Sequence, residues 1–64
     1  MEKRLLTIGE TADQLGLGRS ATYLLVLGGR IRSLKIGRAR RVPVEAIDEF
    51  IEREERANEA PSDE

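Results

Sequence analysis

The 64-residue chain contains no cysteine and no histidine. Without cysteine there is no disulfide and no thiolate metal site. Without histidine the commonest zinc ligand and the commonest general base are missing. Lack of cysteine also fits a reducing cytosol. Long apolar runs are absent: the longest, Tyr23 to Leu27, is far short of the roughly 20 residues of a membrane span. Lys3 and Arg4 precede no hydrophobic segment of signal-peptide length. The expectation is a cytoplasmic protein with no membrane association, no cofactor, no metal and no catalytic residue. A chain this short forms one domain at most, with a small core.

The net charge of −1 conceals a division. Residues 1–44 hold nine bases against three acids, a net of +6. Residues 45–64 hold two bases against nine acids, a net of −7. Such asymmetry points to a body that binds a polyanion, joined to an acidic end.

Along the chain, Leu5 and Leu6 form a short apolar start. Thr7 followed by Glu10 three residues on is the capping-box pattern of a helix N-terminus. Ile8, Ala12 and Leu15 recur at the spacing of one helix face, and Gly16 stands where a C-terminal glycine cap belongs. These signals predict a first helix from about 8 to 15. After Gly16-Leu17-Gly18, a second helix is expected from about 19 to 27, ended by Gly28-Gly29. Two helices across a three-residue, glycine-bearing turn form the helix-turn-helix pattern, with Leu17 placed to plug the angle between them. The stretch from Ile31 to Pro43 carries apolar and β-branched residues on both sides of Gly37-Arg38-Ala39-Arg40, which reads as a hairpin with that segment as its tip. Pro43 suits the entry to a third helix, with Ile47, Phe50 and Ile51 on its buried face and Asp48, Glu49 and Glu52 on its wet face. From about Glu55 the chain is acidic without apolar period, so 55–64 is expected to be a disordered tail after a domain over 1–54.

Three constellations invite a chemical reading. Lys35, Arg38, Arg40 and Arg41 lie within seven residues around a glycine. Like charges that close repel, and an anionic partner relieves the repulsion. Duplex DNA offers a dense row of phosphates, and arginine's planar fork suits both phosphates and guanine edges. A solubilising loop is the plainer alternative, weakened by the helix-turn-helix pattern upstream. Second, Arg19, Ser20 and Tyr23 lie near the start of the second helix, where a helix docked in the major groove contacts bases and phosphates. Tyr23 packing on the core is the alternative. Third, Gly16-Leu17-Gly18-Arg19-Ser20-Ala21 fits the form of a dinucleotide fingerprint. It follows a helix pattern rather than a strand, and Ile36 stands where an acid is required, so it reads as a turn. The carboxylates of the third helix fall on its solvent side, with no pocket to raise a pKa, and read as a solvated face.

Taken in order, these residues resemble the excisionase-type winged helix-turn-helix module, a relative of the MerR-type DNA-binding domain. The resemblance runs from Leu6 to Ile51. Its carriers are Leu6-Thr7, Glu10 and Ala12, Leu15-Gly16-Leu17, Arg19-Ser20 and Tyr23, and Gly29-Arg30-Ile31. Lys35-Ile36-Gly37-Arg38, Arg40-Arg41-Val42 and Ile47 to Ile51 complete it. The resemblance implies a small α+β winged helix-turn-helix fold: two helices, a β-hairpin wing and a closing helix. It implies DNA contacts from Arg19, Ser20 and Tyr23 in the groove and from Arg38, Arg40 and Arg41 in the wing, and the basic cluster adds Lys35 to the wing candidates. Members bend DNA and steer an integrase toward excision, or act as small transcriptional regulators. The chain departs from the family at Gly18, where serine or threonine is usual, at Leu24 and Leu27, where basic or polar residues are common, and near Arg40, where a bulky residue is absent. Leu24 and Leu27 flank the expected groove face, in reach of thymine methyls or of a neighbouring protomer.

The expectation is a sequence-specific DNA binder acting beside an integrase or other recombinase, monomeric when free and assembling head to tail on DNA. In that assembly Leu24, Leu27 and the acidic third helix would meet the next protomer's basic wing. The rivals are a transcriptional regulator of the same fold and a protein-interaction adaptor that docks through Leu24, Leu27 and the acidic end.

Overall fold

The computed structural model describes residues 3–59. The elements are β1 (Leu5–Leu6), α1 (Ile8–Leu15), α2 (Arg19–Leu27), β2 (Leu34–Ile36), β3 (Ala39–Pro43) and α3 (Val44–Ala57). This is the expected α+β winged helix-turn-helix, with a three-stranded antiparallel sheet in the order β1-β3-β2.

Local chemistry sets the ends of the first two helices. The Thr7 hydroxyl accepts from the Glu10 N–H at 3.1 Å, and the Glu10 carboxylate accepts from the Thr7 N–H at 2.9 Å. Both donors would otherwise lack helical partners. At the other end Gly16 has φ 71°, which a side chain would disfavour. That left-handed residue lets the Gly16 and Leu17 N–H groups turn back to the Asp13 and Ala12 carbonyls, at 3.3 and 3.0 Å. The end of α2 repeats the crossing, with the Gly29 and Arg30 N–H groups donating to Val26 and Leu25 at 3.1 and 2.9 Å. The start of α2 is weaker, because Gly18 has no side chain to cap it. The buried Thr22 hydroxyl donates to the Gly18 carbonyl at 2.9 Å, so this threonine is satisfied inside the turn.

Leu6, Val26, Ile31, Val42, Ala46, Ile47 and Phe50 make the core, with Ile8, Leu15, Leu25 and Val44 packed at its edge. Several expectations need correction here. Leu17 does not plug the angle between the helices: it is exposed, because Ala12, Val26 and the buried threonines already fill the seam. Ile31 does not begin a wing strand. It is a core residue, 1% exposed, anchored by its N–H to the Leu25 carbonyl, and β2 starts only at Leu34. The wing tip is Gly37-Arg38 alone, since Ile36 already pairs with Ala39 and Lys35 with Arg40. The two-residue turn has a left-handed residue, Gly37 at φ 61°, in its first central position.

The apolar start Leu5-Leu6 is a strand, β1. It pairs Leu5 with Pro43 and Leu6 with Val42, and the Arg4 carbonyl accepts from Val44 at 3.0 Å. Ile51 is exposed rather than buried, because Ile47 and Phe50 already close the core side of α3. That helix also continues past Glu55, where a tail was expected, to Ala57. Its last turns are tied down from outside by the ion pair of Arg30 with Glu54 and the bond from Arg53 to the Arg30 carbonyl. Residues 60–64 of the expected tail lie outside the described residues.

Candidate nucleic-acid interface

α2 buries Thr22 and Val26 against the core and turns the opposite side to solvent. Ser20, Tyr23, Leu24 and Leu27, at i, i+3, i+4 and i+7, share that outward side and are all exposed. Arg19 sits at its margin. A methyl group placed on Gly9 of α1 would come within 3.0 Å of Arg19 Nε and 3.1 Å of its Nη2. The guanidinium therefore lies against the bare α1 backbone, beside the outward face of α2 rather than on it. Of the second-helix candidates, Ser20 and Tyr23 are brought together, and Arg19 is drawn toward α1.

The wing register divides the basic cluster. Side chains alternate along a strand, and directly paired residues share a face. Val42 points into the core, so its neighbour on the same face, Arg40, and Arg40's partner Lys35 continue the core-facing side out into the wing. Arg41 lies on the other face, paired with Leu34, beside Ile36 and Ala39. Arg38 stands in the turn between the faces. Arg40 is half-buried and donates to the Ser33 hydroxyl at 2.9 Å, and Arg41 donates to the Arg40 carbonyl at 3.0 Å. Neither bond uses a carboxylate.

The acids sort the bases. Arg4 pairs with Glu45, Arg32 with Glu49 and Arg30 with Glu54, all along α3, while Lys3 pairs with Glu10. The Arg32–Glu49 pair is two-pronged, at 3.2 and 3.0 Å. These contacts leave marks on titration. The Lys3 ammonium, and then the Thr7 N–H, hold the Glu10 carboxyl below its ordinary 4.5. Arg32 does the same for Glu49. At Glu45 a bond from its own N–H acts first and Arg4 second. Arg32 is raised in turn by Glu49. Among the described residues, Arg19, Lys35, Arg38, Arg40 and Arg41 have no carboxylate partner, and neither do Arg53 and Arg56 on α3 itself, of which Arg53 donates to the Arg30 carbonyl. Arg30 and Arg32 are two of the nine bases of residues 1–44, and nothing local shows that α3 neutralises them. Their partners are 24 and 17 residues away. The seat of Arg19 on Gly9 was equally invisible, since it forms only when α1 and α2 cross.

The helix-turn-helix domain family matches residues 5–55. A protein of Saccharopolyspora erythraea named "Probable excisionase" is 57% identical over 49 residues, covering 77% of this chain and 50% of that protein. A Streptomyces ambofaciens protein named "Excisionase" is 46% identical over 48 residues, covering 75% of this chain and 77% of that protein. The match thus spans half the length of the first relative and about three quarters of the second. No solved structure gives a significant match. With the family covering both helices, the wing and nearly all of α3, the chain belongs to the helix-turn-helix domain family, and within it to the excisionase type.

Proposed function

We propose that the chain is a sequence-specific DNA-binding protein that takes part in DNA excision, with α2 in the major groove and the β2–β3 wing against the adjacent backbone. The observation that carries this reading is the sorting of the bases. Arg4, Arg30 and Arg32 are each paired with an acid of α3, while Arg19, Lys35, Arg38, Arg40 and Arg41, on the helix-turn-helix and the wing, have no acid partner among the described residues and stand in a stretch without any acid between Asp13 and Glu45. A ribbon that is basic on both faces suits entry between the two phosphate walls of a minor groove. Ser20 and Tyr23, on the first two turns of α2, are placed for a phosphate or a base edge. The order of helix, helix, wing and closing helix supports kinship with the MerR-type DNA-binding domain. The relatives' names favour excision over transcriptional regulation, and with the sequence resemblance they support a role in bending DNA beside an integrase.

The outer side of α3 supports a mode of assembly. Asp48, Glu52 and Glu55 recur at i, i+4 and i+7, exposed and without a basic partner among the described residues. Copies on adjacent sites would set this acidic side against the next wing, head to tail, so that a monomer in solution binds repeated sites cooperatively. Sedimentation of the free chain and titration of one-site and two-site duplexes check this.

A gel-shift against random duplex over a salt series tests the main reading. Retardation should weaken with salt by about 0.9 in log–log slope for each phosphate contacted. No retardation of any duplex at low salt would overturn DNA binding and leave the exposed Leu24 and Leu27 as a protein-docking surface.

A further inference from the structure

The outward face of α2 is poor in the groups that usually read bases. Selecting guanine or adenine in the major groove relies on two-pronged contacts from Arg, Lys, Asn or Gln. None stands on this face, which carries Ser20, Tyr23, Leu24 and Leu27. The helix has one basic residue, Arg19, and it is seated on Gly9 at the margin. Leu24 is 67% exposed and Leu27 54%, the two most exposed large apolar side chains among the described residues. The one apolar group that base pairs present in the major groove is the thymine 5-methyl.

We infer that α2 reads its site chiefly through thymine methyls, with Leu24 and Leu27 as specificity-determining residues. The inference rests on the placement of α2 in the major groove proposed above. Charge decides the occupant of the leucine face. No acid stands anywhere between Asp13 and Glu45, so α2 and the wing carry only bases, and none of Arg19, Lys35, Arg38, Arg40 and Arg41 has a carboxylate partner among the described residues. A second copy laid on α2 by its own α2 would set one acid-free, basic segment against another, whereas DNA supplies methyl groups and phosphates together. Helix geometry sets the spacing. Residues three apart rise about 4.5 Å along the axis, against about 3.4 Å per base pair. The two methyls therefore belong to base pairs within one or two steps of each other.

The probe is a duplex selected from a random pool by the full chain. Each thymine is then replaced by deoxyuridine, which removes the methyl and leaves the pairing and hydrogen-bonding edges intact. Replacement at one or two neighbouring positions should lower affinity about fourfold each, the factor for withdrawing one methylene-sized group from an apolar contact. Replacement elsewhere should change little. Leu24→Ala should abolish the sensitivity at one of these positions and Leu27→Ala at the other. Leu24→Gln and Leu27→Gln provide a second pair that keeps side-chain length should either alanine variant lose helicity. A selected site without neighbouring thymines, a uracil series that binds like the parent, or sensitivity that persists in the leucine variants would each overturn the inference while leaving DNA binding in place. So would a free dimer that Leu24→Ala dissociates. A chain that retards no duplex would remove both readings.

Discussion

Replacing Arg38 and Arg40 with alanine tests whether the wing is an electrostatic arm, and the β2–β3 register sharpens the test. Arg38 stands in the turn and Arg40 on the face shared with Lys35, while Arg41 lies on the opposite face. If each contacts one phosphate, the double variant loses about 1.8 from the log–log slope of affinity against salt, and Arg41→Ala loses about 0.9. Salt acts on the parent more than on the variant. Between 50 and 200 mM the ratio of their affinities should therefore shrink about tenfold for the double change and about threefold to fourfold for Arg41→Ala. Specific and random duplexes should lose affinity alike, because phosphate contacts carry no sequence information. Fluorescence anisotropy on a labelled duplex at four or five salt concentrations gives both slopes, and circular dichroism establishes that each variant is folded despite losing the Arg40–Ser33 bond. An unchanged slope and affinity in the folded double variant would refute the wing assignment. A change for Arg38 and Arg40 with none for Arg41 would show a ribbon lying flat on one strand, and would refute its insertion between two phosphate walls.

Arg19→Ala should weaken binding to preferred and random duplex to the same degree, since its guanidinium lies against α1 beside the groove face; a loss confined to the preferred site would make it a base reader after all. Thr7→Ala should destabilise the fold by about 1 kcal/mol by uncapping α1, and lower the melting temperature by roughly 4–8 °C for a domain of this size. An unchanged melting curve would mean that the cap contributes nothing here. The lowered carboxyls of Glu10, Glu45 and Glu49 fix the sign of an acid effect. The unfolded chain protonates near 4.5 and the folded chain only below that, so their contribution is present above about pH 4.5 and is lost as pH falls through the folded values. Glu49→Gln should flatten the drop in melting temperature between pH 5 and pH 3, and a drop equally steep in that variant would remove the Arg32–Glu49 pair from the account.

Helix ends were legible because their causes are local. The Thr7–Glu10 box, Gly16 and Gly28-Gly29 act within about five residues, so the bounds of α1 and α2 follow from the chain read in order. The candidate site was legible as a list and less so as a surface. Ser20, Tyr23, Lys35, Arg38, Arg40 and Arg41 could be named from spacing and charge. That Arg41 faces away from Lys35 and Arg40 depends on strand register, which the segment alone underdetermined: its tip could be set at two residues or at four. The exposure of Ile51 shows the same limit. Its helical spacing fits a buried face, but the width of that face is set by how much room β3 and α2 leave beside Ile47 and Phe50.

The amino-acid sequence by itself determined the three helices, the turn between the first two, the basic hairpin and the acidic character of the closing helix, since propensity, capping and charge act over a few residues. Only the tertiary structure decided which bases remain open to a partner. Arg4, Arg30 and Arg32 meet Glu45, Glu54 and Glu49 across 41, 24 and 17 residues, and β1 finds β3 from the far end of the domain. The same packing takes Ile31 out of the wing and into the core, and lays Arg19 on Gly9. Contacts that close loops of this length exist only once the core has formed, because the ordering they require is unfavourable until apolar burial offsets it.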